Sequence, residues 1–171
     1  MVNSIKNNYP NQNNYSINTN KQTSDKNQVK YTAEEEAKIS AEEDAIYCEH
    51  LRKNGYTEDQ IDYAKKHMHG FPPDNAPGSV RRAWRQAVEN ATPEMRDQLC
   101  LFICVSDAFM RVNPDYTSSI QNDTNGYFKV IEDLQTYIKQ YDEQSDSQSK
   151  NQYKWYNEIL KAFETELKKF A

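Results

Sequence analysis

The chain has 171 residues, with 21 Lys and Arg against 26 Asp and Glu and a formal net charge of -5. Its mean hydropathy of -1.06 and its 36% of apolar residues suit one ordinary domain plus a tail too polar to bury a core. Four glycines argue against glycine-rich nucleotide-binding folds, no stretch reaches the roughly 18 apolar residues of a membrane span, and the N-terminus lacks the apolar centre of a leader.

Residues 1–30 hold Lys6, Lys21, Lys26 and Lys30 against Asp25 alone, so the remaining body is the acidic part. An acidic body repels phosphate, and no nucleic acid is expected as a partner. Nine of those thirty residues are Asn. With so little apolar surface to offset ordering entropy, 1–30 reads as a disordered Asn-rich tail preceding a helical domain over 31–171.

From Thr32 the signals are helical. Thr32 with Glu35 is a capping box, and Ala37, Ala41, Ala45 and Cys48 recur at helical spacing, predicting a first helix over 33–53 that Asn54-Gly55 ends. Thr57 and Gln60 open a short second helix with Ile61, Ala64 and Met68 on one face. The prolines of Phe71-Pro72-Pro73-Asp74-Asn75-Ala76-Pro77-Gly78 impose a stiff loop. Ser79 is expected to cap a third helix with Val80, Trp84, Ala87 and Val88 inward. Thr92-Pro93 starts a fourth, 93–111, and its run Leu99-Cys100-Leu101-Phe102-Ile103-Cys104-Val105 predicts a central apolar helix surrounded by others. After a polar connection over 113–123, helices over 125–141 and 151–170, separated by a loop at 142–150, form a C-terminal hairpin. Their stripes are Phe128, Ile131, Leu134, Ile138 and Tyr141, and Tyr156, Ile159, Leu160, Phe163, Leu167 and Phe170. The fold class is therefore all-α, a single irregular bundle of about six helices.

Chemistry-bearing residues are few. Cys48, His50, His67 and His69 lie close in sequence, but Cys48 and His50 point about 200° apart on a helix and cannot easily share one ion. Cys100 and Cys104 stand one turn apart and read as buried, inert thiols. Three cysteines, an odd set, suit a reduced compartment, so the expected location is cytoplasmic. Asp107 follows the most apolar run and would pair with Arg111. No catalytic set, metal site or cofactor motif emerges, and no cofactor is expected. One local rule is broken. Arg81, Arg82 and Arg85 crowd the first turns of the third helix, where the dipole disfavours cations by roughly 0.3–1 kcal/mol each. With Phe71 and Trp84 they make a candidate partner-binding face for a protein carrying an acidic segment. Tyr137, Tyr153 and Trp155 form a second candidate interface.

The last residues, ILKAFETELKKFA with Glu164 and Glu166, resemble over 159–171 the acidic and hydrophobic tails of bacterial type IV-secreted effectors. The resemblance implies delivery into a host cytosol by a non-classical route. The leading functional expectation is a protein–protein interaction module, an adapter, inhibitor or secreted effector. The alternatives are an enzyme using a Cys48/His67 or Asp107 site, and a membrane-peripheral module whose basic face meets anionic headgroups.

Overall fold

The computed structural model describes residues 31–67, 70–112 and 116–171, without the side chains of 111, 112, 117 and 118. The tail expected over 1–30 lies outside the described residues. Among those described, six helices of ten residues or more and one single turn follow in chain order: α1 (Ala33–Lys53), α2 (Glu58–His67), α3 (Gly78–Glu89), α4 (Pro93–Val112), α5 (Tyr116–Ser119), α6 (Thr124–Asp142) and α7 (Ser147–Leu167). The chain is an all-α bundle.

Local chemistry sets most boundaries. The Thr32–Glu35 capping box is formed in both directions, with Glu35 N donating to Thr32 Oγ1 at 3.2 Å and Thr32 N to Glu35 Oε2 at 2.7 Å. Thr57 and Gln60 repeat it at the start of α2. Gly55, at φ 84°, supplies the left-handed residue that turns the chain out of α1. Asp123 caps α6 through Gly126 N, 2.8 Å. Asp146 caps α7 through Ser149 N, 2.8 Å, so α7 begins inside the stretch expected to be loop.

The core is built on α7, which packs against α3, α4 and α6. Its Tyr156, Ile159, Leu160, Phe163 and Leu167 are buried, and they meet Val130, Ile131, Leu134 and Ile138 of α6. Tyr141 and Tyr156, with rings 5.6 Å apart, pack together near the turn of the C-terminal hairpin. Each fully buried large apolar side chain contributes roughly 1.5–3 kcal/mol.

The expectation that other helices surround α4 is corrected. Phe102, Ser106 and Phe109 point inward, whereas Cys100, Leu101, Cys104 and Ala108 are exposed. Leu101 keeps 47% of its surface. A continuous apolar run shows that a helix could be enclosed, not that neighbours exist on every side. Here α7 carries the better helical stripe and takes the centre. A second, smaller core of Leu51, Ile61 and Ala64, with Tyr47 and Cys48 packed against it, joins α1 to α2.

Candidate functional site

The broken rule at the start of α3 is resolved by α1. No acidic residue lies in the first turn of α3, and its N-cap is Pro77, with no side-chain cap bond, in place of the expected Ser79. The free amides are satisfied from α1: Gly78 N donates to Ser40 Oγ and Ser79 N to Glu36 Oε1, each at 3.0 Å. A Cβ on Gly78 would lie 2.3 Å from Ser40 N, so glycine is what lets the two backbones meet.

Beyond that crossing the arginines form a ladder with α1. Arg81 bonds Asp44 and the carbonyls of Ser40 and Ala76. Arg82 Nε reaches Glu43 Oε1 at 2.8 Å, and its Nη2 pairs with Glu42. Arg85 bonds both oxygens of Glu43 and, at 2.9 Å, Glu89. Burial of Glu43 would raise its pKa, but the hydrogen bonds from Arg85 and Arg82 outweigh burial and hold the carboxyl below its ordinary value. The hydrogen bonds that Arg85 donates to Glu43 hold its guanidinium above its own ordinary value.

The face expected to be free is therefore an internal interface. Carboxylates of the same chain engage all three arginines, whose side chains keep 18%, 21% and 30% exposure. Phe71 and Trp84 belong to an aromatic cluster, ring centroids 5.1 Å apart, with Phe102 and Phe163 completing it. The cause is a pairing invisible along the chain: α1 presents acid at the helical spacing at which α3 presents base.

The second candidate set divides. Tyr137 and Tyr153 pack against the main core, Tyr137 with its ring 5.1 Å from Phe109. Trp155 is half-buried with Lys154 over its ring. Cys48 sits against the small core while the His67 ring lies tilted against Tyr63, centroids 4.3 Å apart, so no Cys48–His67 pair forms. Among the described residues no three His, Cys, Asp or Glu side chains gather where one ion could bind them; His69 lies outside them. Cys100 and Cys104 are exposed, correcting the buried reading. The terminal residues compared with secreted-effector tails are largely core: Phe163, Leu167 and Phe170 are buried, and Glu166 pairs with Lys169.

A cleft of about 310 Å³ lies between the end of α2, the loop from Gly70 to Asn75 and the second half of α4. Exposed Lys65 and Lys66 line one side, and Asp74, Asn75 and Asp107 also face it. The loop is held by Ala76 N to Pro73 O at 2.8 Å and by Asn122 Nδ2 to Asn75 O at 3.1 Å. Next to the lysines in sequence, Tyr63 leaves 65% of its surface in solvent. Of these residues the sequence singled out only Asp107; Tyr63, Lys65, Lys66, Asp74 and Asn75 were missed as site residues. The available signal was that Tyr63 falls off the Ile61–Ala64 stripe with no second partner face.

Among the described residues no helix is long and apolar enough to cross a membrane. Compared with protein-family models, with curated proteins and with solved structures, the chain matches none.

Proposed function

We propose that the chain is a protein–protein interaction module, of the adapter or inhibitor kind, that docks a partner along the α1–α2 hairpin and the cleft beside it. The observation that carries this reading is the exposure of Ile46, Tyr56 and Tyr63, large apolar or amphipathic side chains, on a hairpin with a three-residue core of its own. Aromatic side chains left in water on a hairpin whose last turn borders a polar cleft suit protein contact, since they bring large area at low entropy cost. Lys65 and Lys66 take over the role first expected of the arginines, offering cations to an acidic segment of the partner.

A photo-crosslinking residue placed at Tyr63 tests the reading, with one at Lys139 on α6 as control. A discrete crosslinked partner at 63, absent at 139 and lost with Lys65→Glu/Lys66→Glu while thermal stability holds, supports it. Equal crosslinking from both positions, or capture indifferent to the lysine reversals, overturns it.

A further inference from the structure

Cysteine is among the side chains most often buried, and Cys48 follows that habit in the small core. Cys100 and Cys104 do not. Both are free and exposed, one turn apart on the outward side of α4, with exposed Leu101 and Ala108 beside them and exposed Asp97 one turn earlier. Neither is in a disulfide, and the Cys104 sulfur lies near enough to Tyr156 to oppose ionisation of its phenol.

We propose that Cys100 and Cys104 form a two-thiolate site for a soft, thiophilic cation of the Cu(I) class. Residues four apart on a helix hold their Cβ atoms about 5–6 Å apart, beyond the roughly 3.5–4.5 Å of a disulfide. The pair therefore does not close into a disulfide without unwinding α4. A bridging ion inserts two metal–sulfur bonds, about 2.3 Å each for zinc, and spans the gap with the helix intact. Ligand number selects the ion. No third His, Cys, Asp or Glu gathers with the pair among the described residues, which leaves zinc short of its usual four ligands, whereas soft thiolates favour Cu(I), an ion content with two. On binding, each thiol releases its proton to solvent and its sulfur donates an electron pair to the ion. Nothing is oxidised or reduced. Asp97 adds negative charge near the approach.

The test is an anaerobic titration of the full chain with Cu(I) against a chromophoric chelator, run beside sedimentation. The expected result is one ion per monomeric chain. Cys100→Ser and Cys104→Ser should each weaken binding at least about a hundred-fold, because two tethered ligands act at high effective concentration; Cys48→Ser should change nothing. Binding that survives either single serine variant, that falls with Cys48→Ser, or that appears only with two chains per ion overturns the proposal. Circular dichroism of the variants excludes loss of α4 as the cause.

Discussion

Glu43 of α1 and Arg85 of α3 meet through two hydrogen bonds, Nε to Oε2 at 2.7 Å and Nη2 to Oε1 at 3.0 Å, with the Glu43 side chain only 5% exposed. Arg82 bonds the same carboxylate from the next position on the ladder. One buried acid thus answers two cations that helix α3 by itself would disfavour. Glu43→Ala should destabilise the fold by about 2–4 kcal/mol in urea melts, since it leaves part-buried guanidinium groups under-paired. Glu42→Ala and Asp44→Ala, whose carboxylates are about half exposed, should each cost less than about 1 kcal/mol. Charge reversal at Arg81 and Arg85, which a free docking face would tolerate, should lower the melting temperature here.

The same pair sets an acid limit. Glu43 has a folded pKa below its ordinary 4.5. Its contribution is then fully present above that ordinary value and is lost as pH falls through the lowered one. Urea midpoints should hold steady above pH ~4.5 and fall below it. Glu43→Gln should be less stable at neutral pH and show a shallower acid slope. An identical slope in wild type and variant would place the acid sensitivity elsewhere.

Two glycines are fixed by close approach. A Cβ at Gly78 would press on the Ser40 backbone, and one at Gly126 would lie 1.7 Å from the Gln121 carbonyl oxygen. Neither neighbour is a flexible side-chain tip, so Gly78→Ala and Gly126→Ala should each destabilise by about 1–3 kcal/mol. Gly70, with nothing within 4 Å of its would-be Cβ, is the control. Its alanine variant should melt with wild type.

Adjacent residues on α4 separate the inward and outward faces. Phe102 is fully buried among Phe71, Trp84 and Tyr156, and Phe102→Ala should cost about 3–5 kcal/mol. Leu101→Ala should stay within about 0.5 kcal/mol of wild type in the same melt. Equal losses at the two positions would mean that α4 is enclosed in solution.

Much of the fold was legible because its signals are local. Thr32, Thr57 and Thr92 mark helix starts whose partners lie three residues on, and the stripes of the C-terminal hairpin recur at helical spacing. Cap chemistry was also the point of failure at α7, where Asp146 lay inside a run that looked like plain linker. The α1–α3 ladder was legible only as a conflict, three arginines standing where the dipole disfavours them, and the cleft beside α2 left no such mark.

The amino-acid order by itself determined the six long helices, the starts marked by Thr32, Thr57 and Thr92, and the apolar stripes of the C-terminal hairpin, because capping and periodicity act over three or four residues. Tertiary structure alone decided that α1's acids answer α3's arginines, that α7 takes the centre, and that Tyr63, Lys65, Cys100 and Cys104 face water. Those outcomes depend on which helix lies against which, and side chains about forty residues apart carry no mark along the chain of whether they will meet.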